Sequence, residues 1–199
     1  MTSFGEDMQA LVLAGGRSSR MGRDKSLMQI DGKSLIRITL ERLIDSGHSV
    51  ILVMASDEAQ EFRQKSSVGE LAKAAVWRRD DKPHSGMIEA LLTGIRDGAI
   101  DATKPLQISS VDSPWLQSKL YSKLRMSMGK NIDIVVPYCK TTHPLHSLVR
   151  VDPLNEALNP GNGPLKNQIK AMRWKAVDCT GQGLQNINSP SDLSMSSDS

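Results

Sequence analysis

Leu11-Val12-Leu13-Ala14-Gly15-Gly16-Arg17-Ser18-Ser19-Arg20-Met21-Gly22-Arg23-Asp24-Lys25 joins a short apolar run to a small, polar and strongly basic loop. The apolar run predicts a buried strand, because a parallel strand covered on both faces loses its apolar/polar alternation. Two glycines end it. They permit positive φ values and let a ligand approach where a Cβ would collide. Arg17, Arg20, Arg23 and Lys25 follow in one loop. Unpaired loop amides with four cations make a cradle for phosphates. On charge alone a solvated basic loop is the more common case. The glycine pair, with Arg20 and Lys25 at fixed positions beyond it, favours phosphate. A Walker A loop needs Gly-Lys followed by Ser or Thr, and the dinucleotide fingerprint needs three glycines at set spacings. Neither pattern occurs here.

Outward from this loop, apolar runs alternate with helical patterns. Asp31-Gly32 is a tight-turn dipeptide. Leu35 to Ser46 predicts a helix with Ile36, Leu40, Leu43 and Ile44 on one face and Gly47 as its stop. Val50 to Met54 predicts a second buried strand, Glu58 to Lys65 a charged surface helix, and Ala74 to Trp77 a weaker strand. Arg78-Arg79-Asp80-Asp81 is expected to return toward the strand ends. Gly86 to Gly98 predicts a helix with Ile88, Leu91, Leu92 and Ile95 inward. Leu106 to Val111 predicts a strand ending at Asp112, followed by a helix through Leu120 and Leu124, and Ile132 to Val136 another strand. Farther on, Ser147 to Val151 predicts a strand, 159–164 a loop, and Leu165 to Met172 a helix. A short helix is expected after Pro190. The alternation implies a three-layer α/β/α domain with a mostly parallel, twisted sheet and right-handed crossovers. Ligands bind such sheets beyond the carboxyl ends of the strands. The glycine loop and Asp112 both fall there. A single domain over 1–199 is expected, fraying at 1–7 and 194–199.

Composition narrows the classes. The 199 residues are 39% hydrophobic, enough for one packed domain. A formal net charge of +3 suits an anionic small substrate without marking a nucleic-acid binder. Cys139 and Cys179 lie far apart, which indicates neither a zinc site nor a disulfide framework. No apolar run approaches a membrane span, and Met1 to Gln9 does not read as a signal peptide. A cytoplasmic protein is expected.

Asp112 is the first chemical candidate. A carboxylate at a strand end near a phosphate loop suits Mg²⁺, which takes one or two carboxylates plus phosphate oxygens and water. It equally suits an N-cap for the next helix. The Asp80-Asp81 pair could simply balance Arg78 and Arg79. His143-Pro144-Leu145-His146 has two histidines but no sequence-adjacent carboxylate or cysteine to complete a metal set.

The opening stretch resembles Leu-Ala-Gly-Gly-x-Ser-x-Arg-Met-Gly-x-Asp-Lys, the signature of nucleotidyltransferases with the nucleoside-triphosphate pyrophosphorylase, or nucleotide-diphospho-sugar transferase, fold. Its Gly-Gly pair and Asp-Lys ending are similar to the molybdenum cofactor guanylyltransferases; related cytidylyltransferases more often carry Ala-Gly and Asn-Lys. Val111-Asp112-Ser113-Pro114 resembles the family's Cys-Asp-Thr-Pro, whose Asp holds magnesium. Asn186-Ile187-Asn188-Ser189-Pro190 resembles its Asn-x-Asn-Thr-Pro segment. The resemblance spans Leu13 to Leu193. It implies transfer of GMP from GTP to the phosphate of molybdopterin, with Mg²⁺ as cofactor. Lys25, Arg20 and Asp112 would be catalytic. Leu13, Ala14, Gly15, Gly16, Lys25, Asp80 and Asp112 would bind the nucleotide, with Asp81 as the neighbouring alternative to Asp80. His143 and Asn188 would line the acceptor site. Cofactor-insertion proteins or molybdoenzyme chaperones would be partners. Other readings are a cytidylyl- or sugar/alcohol-phosphate nucleotidyltransferase, or a non-catalytic nucleotide-binding module. Met54 departs from the family, where an Asn contacts the nucleotide; base selectivity then rests elsewhere, with Ser56 a nearby substitute.

Overall fold

The computed structural model describes residues 8–15, 24–81, 86–187 and 192. In chain order the elements are β1 (Met8–Leu13), a hairpin of β2 (Gln29–Ile30) and β3 (Lys33–Ser34), α1 (Leu35–Asp45), β4 (His48–Ala55) and α2 (Glu58–Val68). There follow β5 (Val76–Arg79), α3 (Met87–Arg96), β6 (Leu106–Ser110), α4 (Lys119–Ser127), β7 (Ile134–Cys139) and β8 (Thr141–Thr142). The last are β9 (Leu148–Val149), α5 (Val151–Ala157), α6 (Leu165–Gln168) and β10 (Trp174–Asp178).

The main sheet runs β10-β7-β9-β6-β1-β4-β5, with β8 on the side of β7. β1 pairs in parallel with β4 and β6, as do β4 with β5 and β7 with β10. β9 is antiparallel to both β6 and β7. The sheet is therefore mostly parallel, as the alternating elements predict.

β1 explains its own unbroken hydrophobicity. Ala10 and Val12 face one core, with Leu35, Ile36, Leu40 and Leu43 of α1 and Leu120 and Leu124 of α4. Leu11 and Leu13 face the other, with Ile88, Leu91 and Leu92 of α3 and Leu154 of α5. A strand buried on both sides has no polar face to show. These are the three layers.

Local chemistry places the helix starts. Ser34 caps α1 by accepting from Arg37 N, and Asp57 caps α2 by accepting from Gln60 N. Asp31, at φ 50°, completes the β2–β3 turn.

Several expectations change. The weak strand begins at Val76 and takes in Arg78 and Arg79, so the return toward the strand ends starts only at Asp80. Residues 147–151 hold just the two-residue β9, and Val151 already opens α5. Pro153 is tolerated there because it sits in the first turn, where its missing N–H costs no helix bond. Helix α6 gives way to a 3₁₀ turn at Ile169–Ala171. The helix expected after Pro190 lies outside the described residues. No described helix is long and apolar enough to cross a membrane.

Candidate active site

The sheet order puts β4 and β5 on one side of β1 and β6 on the other. Its carboxyl edge at β1 is therefore a topological switch point, where α/β sheets bind ligands. Register carries the candidates to this place: Leu13 lies opposite Met54 on one side and Ser110 on the other.

Beyond β1, Ala14 N donates to Met54 O at 3.1 Å. Gly15 does not take a positive φ. It is small for a different reason: a Cβ there would meet Ser56 Oγ at 2.9 Å and Ser56 N at 3.2 Å. Gly16, Arg17, Arg20 and Arg23 lie outside the described residues. Asp24 caps a 3₁₀ turn, Lys25–Leu27, its Oδ1 accepting from Ser26 N at 3.1 Å and Ser26 Oγ at 2.6 Å. Buried Gln64 of α2 donates to both Ala14 O and Ser26 Oγ, at 3.0 and 2.8 Å. It ties the end of β1 to the turn that presents Lys25. The Lys25 ammonium is half-buried and donates to Ile187 O at 2.6 Å. Lys25 is thus not simply part of a solvated loop.

Asp112 stands two residues past β6. It does not cap α4, whose cap position is Ser118. Its main-chain O accepts from Ile187 N at 2.8 Å, and its side chain is 17% exposed. Asp112 Oδ1 is buried and has no hydrogen-bond partner. Such an oxygen is costly unless a ligand claims it. Neighbouring Ser113 donates its hydroxyl to Asn186 Oδ1 at 2.7 Å. Arg42 of α1, buried, donates to Ser113 O at 3.1 Å and Pro114 O at 2.5 Å. Burial lowers that guanidinium's pKa. Asn186 and Ile187 therefore brace Asp112 and Lys25 together; Asn188, the acceptor candidate beside them, lies outside the described residues.

Asp80 follows β5, its N donating to Ala55 O at 2.9 Å. It is 9% exposed, and its Oδ1 is buried without a partner. Burial, then repulsion from Asp81 and Glu89, pushes its pKa up to about 6. Asp81 is exposed and accepts from Thr93 Oγ1 at 3.3 Å. Of the pair, Asp80 is the one turned into the structure.

His143 is half-buried on the β8–β9 connection, its Nε2 3.5 Å from Cys139 O. In the sequence His143 and His146 together lack a carboxylate or cysteine partner for a metal. The fold supplies one: His146 Nε2 lies 3.9 Å from Asp112 Oδ1 and 2.9 Å from Ser113 Oγ. Desolvation chiefly, with help from Arg42 and His143, lowers the His146 pKa to about 4 against the opposing pull of Asp112. Only spatial adjacency reveals this pair. Among the described residues no three His, Cys, Asp or Glu side chains gather into a metal cage.

Met54 is corrected. It is fully buried in the core facing α3, where its sulfur lies against Gly94. It does not border the strand-end crevice, so it says nothing about base choice. Ser56, against Gly15, occupies the edge instead; its N donates to Gln60 Oε1 at 2.7 Å.

A relative from Methanothermobacter thermautotrophicus, named a probable molybdenum cofactor guanylyltransferase, is 29% identical over 92% of this chain and 95% of its own. Among solved structures, a nucleotidyl transferase from Methanothermobacter superposes with a TM-score of 0.77 at 19% identity, covering 96% of each chain. The molybdopterin-guanine dinucleotide biosynthesis protein A of Archaeoglobus fulgidus gives 0.72 at 21%, covering 94% of this chain and 96% of that one. At such identities the structures establish the fold. The model of the MobA-like NTP transferase domain matches residues 10–173, most of the chain and every described strand but β10, and the chain belongs to that nucleotidyltransferase family.

Proposed function

We propose that this chain transfers GMP from GTP to the phosphate of molybdopterin and releases pyrophosphate. One observation carries the reading. Lys25 and Asp112, 87 positions apart in the chain, meet at one residue, Ile187, whose O accepts from the Lys25 ammonium and whose N donates to the Asp112 main-chain O. This brings the segment that carries each of them to one crevice and supports a phosphate-binding role for Lys25 and a metal-binding role for Asp112.

The chemistry asks little more. A phosphate oxygen of the acceptor attacks the α-phosphorus of GTP, the α–β bridging bond breaks, and pyrophosphate leaves with the electron pair. The nucleophile is already an anion, so no catalytic base is needed; rate comes from positioning and charge neutralisation. Lys25 would stabilise charge growing on the leaving pyrophosphate. Asp112, with its unclaimed buried oxygen, fits Mg²⁺, which needs few protein carboxylates when substrate oxygens and water complete its shell. Bound there, Mg²⁺ would neutralise phosphate charge as a Lewis acid. Asp80 would accept from the N–H groups on the guanine edge. Such a contact is favourable because Asp80 Oδ1 is buried without a hydrogen-bond partner.

Pyrophosphate release with molybdopterin as acceptor, compared for GTP, CTP and ATP, tests this directly. GTP is expected to give the highest kcat/KM. CTP or ATP preferred would overturn the guanylyl assignment.

A further inference from the structure

Asp112 keeps a buried oxygen unclaimed although a nitrogen of His146 stands 3.9 Å away. Proximity of that kind usually ends in a hydrogen bond, and the geometry shows why it does not here. The Ser113 hydroxyl has one proton and gives it to Asn186 Oδ1 at 2.7 Å. The 2.9 Å contact between Ser113 Oγ and His146 Nε2 must then be donated by the imidazole. His146 spends its N–H on Ser113, and its Nδ1, buried and unpartnered, is the bare acceptor nitrogen. A three-residue clasp results: His146 to Ser113 to Asn186, running from the β8–β9 connection across the end of β6 to the C-terminal segment. Arg42 holds the same loop from below through Ser113 O and Pro114 O.

We propose that His146 is a positioning residue for the divalent cation: through Ser113 it fixes the loop after β6 while leaving Asp112 Oδ1 free to take the metal. The proposal rests on the nucleotidyl-transfer reading above. A phenylalanine at 146 would fill similar space and leave Ser113 half-satisfied. A glutamine would restore an N–H donor. A clasp of this kind acts as an outer-shell support, whose loss weakens metal binding roughly 10- to 100-fold.

The test measures Mn²⁺ binding by the electron paramagnetic resonance of Mn²⁺, with GTP present and the same Mn²⁺–GTP mixture without protein subtracted as reference, on folded wild-type protein and variants matched by circular dichroism. Wild type should bind Mn²⁺ with GTP, and Asp112→Asn should abolish it. His146→Phe should raise the Mn²⁺ dissociation constant about tenfold or more, while GTP affinity measured calorimetrically in EDTA stays within about twofold. His146→Gln should recover most of the loss. If His146→Phe does not fold, Ser113→Ala breaks the same clasp from its other member and should weaken Mn²⁺ equally. Unchanged Mn²⁺ affinity in either folded variant, or no rescue by Gln, would overturn the positioning role alone. A wild-type protein that binds no Mn²⁺ with GTP would overturn the nucleotidyl-transfer reading and this inference with it.

Discussion

The ends of β6 and β5 each hold a carboxylate with one buried, unpartnered oxygen, and the two are kept in opposite ways. Asp112 sits on a braced loop: Ile187 donates to its main-chain O, and Arg42, Asn186 and His146 hold the adjacent Ser113. Asp80 has the amide link to Ala55 and then acidic company, Asp81 and Glu89, which with burial lifts its pKa to about 6. A rigid, braced carboxylate suits a cation that must be fixed relative to phosphate. A destabilised one suits a neutral N–H donor that arrives with the substrate and relieves it. Two similar residues, at strand ends separated by β1 and β4, would thus take different parts of one nucleotide on the proposed function.

That contrast can be broken by substitution. Asp112→Asn should cause the largest loss, about a thousandfold in kcat with Mg²⁺ present, or about 4 kcal/mol. Its melting temperature should barely move, since the changed oxygens carry no hydrogen bond to the rest of the chain beyond what an amide can replace. Steady-state kinetics beside thermal melts would separate the two. Lys25→Ala should lower kcat about a hundredfold, near 3 kcal/mol. Because the ammonium also donates to Ile187 O, this variant should in addition lose about 1 kcal/mol of stability, read from urea unfolding.

Asp80→Asn should act on binding and in the other direction on stability. An acid held at about 6 in the folded chain, against 3.8 for an unperturbed aspartate, penalises folding whenever it is ionised. The penalty is absent below 3.8, grows as pH rises, and is complete above 6, where it amounts to at most about 3 kcal/mol. The variant should therefore melt higher than wild type at pH 7.5, with the gain vanishing as pH falls through that window. Its KM for GTP should rise about tenfold, as one charged hydrogen bond weakens to a neutral one. A variant destabilised at pH 7.5 would contradict the contrast. The smallest effect is expected for Asn186→Ala, which removes one acceptor of the clasp and should cost about 1 kcal/mol, a few-fold in kcat/KM.

Much of this was legible in the residues. Leu11 to Leu13 reads as a doubly buried strand because nothing polar interrupts it, and Asp112 reads as a strand-end carboxylate because Leu106 to Val111 leads straight to it. What escaped notice depends on contacts between distant segments. β10 hides because Trp174, Lys175, Ala176 and Asp178 are exposed and only Val177 is buried, as an edge strand with one partner allows. His146 gains meaning only when β9 folds back between β6 and β7, bringing it beside Asp112. Met54 misleads because register decides whether the last residues of a strand face a core or a crevice, and sequence alone does not set that register. At Gly15 the expected positive φ is not taken; a Cβ would collide there, but with Ser56 of this chain.

On the proposed function the Asp112 end of the crevice takes the cation and phosphates while the Asp80 end takes the base. A crystal of the protein with Mn²⁺ and a non-hydrolysable GTP analogue, measured at a wavelength where manganese scatters anomalously, tests it most directly. An anomalous peak is expected within coordination distance of Asp112, with phosphate oxygens beside it, and the guanine edge at Asp80. Manganese among Asp80, Asp81 and Glu89, with Asp112 unliganded, would contradict it.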